Sequence, residues 1–204
     1  PPRLVLAIAV DQFSADLFAQ YRRRFTAGLA RLQEGAVFPS GYQGHAATET
    51  CPGHSTLLTG TRPARSGIVA NYWFDPGLAR EDKRVYCAED ERDPQSNSAK
   101  PVVSAQHLRV PTLGELMKKA APESRNVAVS AKDRAVVMMG GHAIDAGYWW
   151  QGKGFATFRG KALTASAEAA NRAAEGIVAS GARPFVAPAL CQPRDREASL
   201  GEFT

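Results

Sequence analysis

Residues 4–10, Leu-Val-Leu-Ala-Ile-Ala-Val, form an apolar run with no polar alternation. A strand with one wetted face alternates, whereas a strand covered on both faces does not, and cover on both faces belongs to parallel sheets flanked by helices. The run therefore predicts a buried strand in an α/β fold, built on a mostly parallel sheet with helices on both faces. It ends at Asp11. Ligands in open α/β sheets gather beyond the carboxyl ends of strands, so a carboxylate there is a candidate for chemistry. A helix N-cap or a strand-end hydrogen bond is the structural alternative for Asp11.

The next elements extend this pattern. Leu17, Phe18, Tyr21, Phe25, Leu29 and Leu32 recur at helical spacing and predict one or two surface helices, stopped at Gly35. Residues 36–38 are expected to begin a further short strand. Thr112 and Glu115 have capping-box spacing, and Asn126–Ser130 reads as a strand with Lys132-Asp133-Arg134 at its carboxyl end. Gly152-Lys153-Gly154 between Trp149-Trp150 and Phe155–Phe158 predicts a hairpin, and the Ala-rich 165–179 stretch a helix. Residues 76–110 are polar and are expected to form a long surface insertion bordering the substrate entrance.

Composition removes several classes. With 204 residues and 44% hydrophobic content the chain can bury a core, and no apolar run approaches the length of a membrane span. The formal charge of +5 favours anionic partners, but Arg22-Arg23-Arg24 fits a solvated helix end, and neither nucleic acid nor a membrane is expected as a partner. Cys51, Cys87 and Cys191 include no CxxC pair. Cys51 and Cys87 are candidates for a disulfide in an oxidising compartment, which would leave Cys191 to pair elsewhere or remain a buried thiol.

The stretch Thr48-Glu49-Thr50-Cys51-Pro52-Gly53-His54-Ser55-Thr56-Leu57-Leu58-Thr59-Gly60 runs from a polar approach into an apolar helical segment. Pro52 suits a helix start, which puts Thr50 where free amides and the dipole favour a negative oxygen or a phosphate. A hydroxyl is a weak nucleophile near neutral pH and needs a base or a metal, a role open to a cation held by Asp11. Service as a simple N-cap is the alternative for Thr50. Asn71 as a turn residue, and Lys132 and Arg134 as a solvated loop, are the corresponding alternatives elsewhere.

Four ordered pieces together resemble the alkaline phosphatase superfamily, within it the bacterial phosphatases with a threonine nucleophile: Val10-Asp11-Gln12, Thr48 to Gly60, Gly67 to Asp75, and Lys132-Asp133-Arg134. The resemblance implies two zinc ions, with Asp11 a ligand of one and Thr50 both attacking phosphorus and contacting zinc. It implies that Asn71 binds a non-bridging phosphate oxygen and that Lys132 and Arg134 hold the remaining charge, one as a point charge and one as a planar fork. His45, His54, His107 and His142 stay outside the metal site.

On that resemblance the 204 residues are the N-terminal part of a single alkaline-phosphatase-like domain, with the other zinc ligands in a later part of the polypeptide. The expected activity is hydrolysis of small phosphate monoesters through a phosphothreonine, by a monomer that is periplasmic or secreted after loss of its leader. A nucleotide pyrophosphatase or phosphodiesterase of the same superfamily, or a phosphate-binding module without turnover, is the alternative. The extra cations favour a monoester, which presents one more charged oxygen than a diester.

Overall fold

The computed structural model describes residues 3–181 and the isolated Ala189, so Cys191 lies outside the described residues. Helices α1 (Ala15–Tyr21) and α2 (Ala27–Leu32), joined by a short 3-10 turn at Arg22–Arg24, fill the place expected of the surface helices. Ser14 caps α1 by accepting the Leu17 amide, and Phe13, Phe18 and Phe25 pack with ring centroids about 6 Å apart. Next come α3 (Thr50–Thr59) and the short α4 (Pro63–Ser66). Gly60, with φ 65°, ends α3 in the left-handed conformation that a side chain disfavours. Strands β1 (Tyr72–Phe74) and β2 (Arg84–Tyr86) then form an antiparallel ribbon.

Helix α5 (Leu113–Ala120) carries the expected capping box between Thr112 and Glu115. After it, β3 (Val127–Ser130), α6 (Asp133–Gly140) and β4 (Ala146–Trp150) make a βαβ unit in which β3 and β4 pair in parallel. The apolar stretch at 135–139 lies in α6, which provides the crossover that parallel strands require. Strand β5 (Phe155–Ala156) closes the expected hairpin, with Trp150 opposite Phe155, and α7 (Ala165–Ala179) occupies the Ala-rich stretch.

Three expectations fail. Residues 4–10 form no strand and pair with none among the described residues, and they are mostly exposed, Leu4 by 79% and Leu6 by 72%. An apolar run marks a segment suited to burial, but a strand exists only where a neighbouring ladder accepts its amides. For the same reason residues 36–38 form no strand. The sheets are accordingly small, a two-stranded antiparallel ribbon and a three-stranded sheet with one parallel pair, and the mostly parallel sheet is represented by β3–β4.

The third concerns 76–110, which is not a surface insertion throughout. Tyr86, Cys87, Ala88 and Leu108 join Cys51, Ile68, Val137 and Met138 in the core. Glu89 is buried there with 0% exposure, held by Arg80 Nη2 at 2.5 Å. Arg80 also donates to the carbonyls of Asp82, Arg84 and Ser96, so one guanidinium ties the loop to itself. Burial raises the Glu89 carboxyl above its usual range, and Arg80 pulls the other way.

Arg80→Ala leaves that carboxylate buried without a counter-charge and is expected to destabilise the fold by about 3 kcal/mol, measured by urea denaturation. Because the folded pKa is raised, the folded state keeps a proton that the unfolded chain has lost. Stability therefore falls as pH rises from the ordinary glutamate value through the raised one. The deficit of the variant is accordingly larger near neutral pH than at about pH 4.

Candidate active site

Helix α3 begins at Thr50, with Glu49 as its N-cap residue. Neither side chain caps an α3 amide. The Thr50 hydroxyl, only 6% exposed as a residue, instead donates to Asp11 Oδ2 at 3.0 Å across 39 positions of sequence. Asp11 lies in the turn after the 4–10 run and does not cap α1, a place taken by Ser14. Gln12, immediately following, has φ 61°, a left-handed conformation that costs a non-glycine residue about 1 kcal/mol. The cap readings of Asp11 and Thr50 thus give way to a carboxylate–hydroxyl pair.

Asn71 reaches the same helix end. Its Oδ1 accepts the Cys51 amide at 2.8 Å, and its own amide donates to Glu49 Oε2 at 2.6 Å. Its carbonyl accepts the Cys87 amide at 3.0 Å, extending the β1–β2 ladder by one bond. With Oδ1 committed to a backbone donor, the amide orientation is fixed and Nδ2 remains as a donor beside Thr50's helix. His54 is buried, and its Nδ1 donates to the Thr50 carbonyl at 2.8 Å, a structural bond one helical turn away. His107 and His142 pair with Glu91 and Glu115, and His45 with Gln43.

Lys132 is the N-cap residue of α6 and is exposed; Arg134, in the first turn, is half-buried. Cations at the positive end of a helix dipole are unfavourable for the helix and raise the potential for an anion. No hydrogen bond among the described residues links Lys132 or Arg134 to Thr50, Asp11 or Asn71. The connection runs through β2 and the residue after it. Cys87 is joined by a disulfide to Cys51, the second residue of α3, as the sequence allowed. Tyr86 Oη donates to Asp133 Oδ1, in the first residue of α6, at 2.6 Å. Consecutive residues therefore bracket the N-termini of α3 and α6, which pack against each other.

The sequence reading gave no role to Glu49, Tyr86 or Asp133. Glu49 and Asp133 lay inside motifs already singled out, and the apolar trio Val85-Tyr86-Cys87 within a polar segment was the signal for Tyr86. Burial and the hydrogen bond to Asp133 raise the Tyr86 phenol well above its ordinary value, so it stays a donor. Cross-strand partners share a face, so Tyr72 and Tyr86 lie on one side of the ribbon and Trp73 and Val85 on the other. A cleft of about 470 Å³ opens on that second side, lined by Trp73, Val85 and His107 among others, and contains none of the candidate site residues.

As a metal site the donor set is partial. Asp11 and Thr50 offer two hard oxygen donors, and zinc needs three or four ligands. Among the described residues no group of three His, Cys, Asp or Glu side chains gathers. The pair supplies two oxygen donors, which is fewer than a complete zinc site requires. No described helix is long and apolar enough to cross a membrane.

The chain is 53% identical over its whole length to the alkaline phosphatase PhoK of a Sphingomonas species, of which it covers 37%. It is 54% identical over 76% of its length to the alkaline phosphatase PhoD of Zymomonas mobilis, covering 27% of that protein. The chain thus spans little more than a third of these relatives at most. The crystal structure of the alkaline phosphatase PafA superposes with a TM-score of 0.76 at 25% identity, over 94% of this chain and 38% of PafA, which places the fold in the same α/β class. The model of the type I phosphodiesterase / nucleotide pyrophosphatase family matches residues 5–181, and the chain belongs to that family.

Proposed function

We propose that this chain is the nucleophile-bearing, N-terminal part of a metal-dependent alkaline phosphatase that hydrolyses small phosphate monoesters through a phosphothreonine at Thr50. The observation that carries the reading is the Thr50 hydroxyl directed at Asp11 from the first residue of α3, across 39 positions of sequence. Two relatives named alkaline phosphatases, at 53% and 54% identity, support it.

Thr50 Oγ1 attacks phosphorus, its proton is lost toward the Asp11 side, and the P–O bond to the leaving group breaks as that oxygen departs with the electron pair. Water then cleaves the phosphothreonine and regenerates the hydroxyl. Asn71 Nδ2 donates to a non-bridging oxygen, while Lys132 and Arg134 add charge at the α6 terminus; positioning and charge stabilisation supply most of the catalysis in phosphoryl transfer. Asp11 and Thr50 would hold zinc together with ligands from the rest of the polypeptide, and the cation would favour the ionised hydroxyl. The Cys51–Cys87 disulfide supports an oxidising location, periplasmic or secreted. The working state in this reading is a monomer.

A second reading, hydrolysis of phosphodiesters or nucleotide pyrophosphates, is favoured by the description of the matching family. A chromogenic aryl phosphate monoester assayed against its diester, with and without zinc, in the longest form of the polypeptide separates the two. Zinc-dependent turnover preferring the monoester is expected. Preference for the diester moves the protein to the second reading, and silence under all conditions sinks both.

A further inference from the structure

Arg134 has a phosphate role in the proposed function, yet its Nε is buried and makes no hydrogen bond among the described residues. The residues around it do have fixed contacts. Asp133 Oδ1 accepts the Tyr86 hydroxyl at 2.6 Å and the Arg134 backbone amide at 2.7 Å. Tyr86 is 3% exposed and sits beside Cys87, whose disulfide runs to the residue after Thr50. Burial and Asp133 disfavour the ionised Tyr86 phenol, and outweigh Arg134, which favours it first by hydrogen bonding and then by charge. A rigid path thus runs from the helix of Thr50 to the first turn of α6 through the disulfide, Tyr86 and Asp133.

We propose that Tyr86 and Asp133 are positioning residues that set the distance between Arg134 and Thr50, so that the guanidinium meets the phosphate held at Thr50. The inference rests on the phosphate role proposed for Arg134. Asp133 suits the task for two reasons. An acidic residue in the first turn offsets the unfavourable placement of Lys132 and Arg134 against the dipole. A carboxylate with one oxygen bound twice also fixes the backbone where Arg134 emerges. Tyr86 adds a donor that burial keeps protonated, on a ring packed against Tyr72 at 5.0 Å.

The test is a double-mutant cycle on the affinity for inorganic phosphate, measured by calorimetry on the zinc-loaded longest form of the polypeptide. Tyr86→Phe keeps the ring and removes the donor, and is expected to weaken phosphate binding about five- to tenfold. Arg134→Ala is expected to weaken it by at least as much, and the double variant to bind like Arg134→Ala alone. A Tyr86→Phe effect that persists undiminished in the Arg134→Ala background, or no effect in the wild-type background, overturns the positioning role while leaving the phosphatase reading intact. An Arg134→Ala variant with unchanged affinity overturns the phosphate role itself, and the positioning inference with it. Asp133→Asn, which keeps an oxygen acceptor, should retain more affinity than Asp133→Ala; equal losses in the two count against the bond to Tyr86.

Discussion

Thr50→Ala in the longest form of the polypeptide is expected to reduce turnover of an aryl phosphate monoester by at least about 1,000-fold, with affinity for inorganic phosphate within a few-fold of wild type. The first half follows from chemistry: without the hydroxyl no phosphothreonine forms, and only charge stabilisation and binding remain. The second follows from the structure, because Asn71 meets α3 through the Cys51 amide, which alanine at residue 50 leaves in place. The lost bond to Asp11 has one exposed partner, so its removal costs about 1 kcal/mol or less and the fold survives. Thr50→Ser keeps the attacking oxygen and should retain most of the activity. Unchanged turnover in Thr50→Ala, assayed by release of the chromogenic alcohol, would make the Asp11–Thr50 pair a structural contact and remove the nucleophile from this chain.

The local elements that carry the candidate site and its surroundings were legible because their signals are short in sequence. Thr50 with Pro52, the Thr112–Glu115 capping box and the Gly152-Lys153-Gly154 turn each state their geometry within a few positions, and the structure places α3, α5 and the β4–β5 hairpin accordingly. Partners far apart in sequence were not legible. Tyr86 meets Asp133 across 47 positions and Glu49 meets the Asn71 amide across 22, and neither pair follows a local pattern.

The 4–10 run shows the same limit from the other direction. Its composition states that both faces suit burial, but composition does not name the surface that buries them. Val127 and Val129 on β3, the edge strand of its sheet, are exposed in the same way. Polarity misled at 76–110 because the average over 35 positions hides seven buried residues, Val85 to Glu89 with Ser96 and Leu108, of which Glu89 is buried only with Arg80 as its partner.

Removing the Cys51–Cys87 disulfide is expected to cost the fold about 4 kcal/mol, the loop-closure entropy of a crosslink spanning 36 positions. Both sulfurs lie in fully buried residues, so Cys51→Ala/Cys87→Ala is the better variant; serine would add two buried hydroxyls in need of partners. Guanidinium denaturation of the oxidised protein against this variant, and against wild type in reductant, should show a lower midpoint with a similar slope in both cases. The disulfide also joins the residue after Thr50 to the residue after Tyr86, so its loss loosens α3 relative to α6 as well as freeing the unfolded chain. Turnover should therefore fall by more than the unfolded fraction explains, measured at a temperature where the variant remains folded. Superimposed denaturation curves with and without reductant would show that the crosslink is absent or that its closure entropy is offset by strain. A variant destabilised as expected but with normal turnover per folded molecule would confine the disulfide to stability and leave Asn71, which accepts the Cys51 amide on one side and the Cys87 amide on the other, as the tie that holds α3 in register.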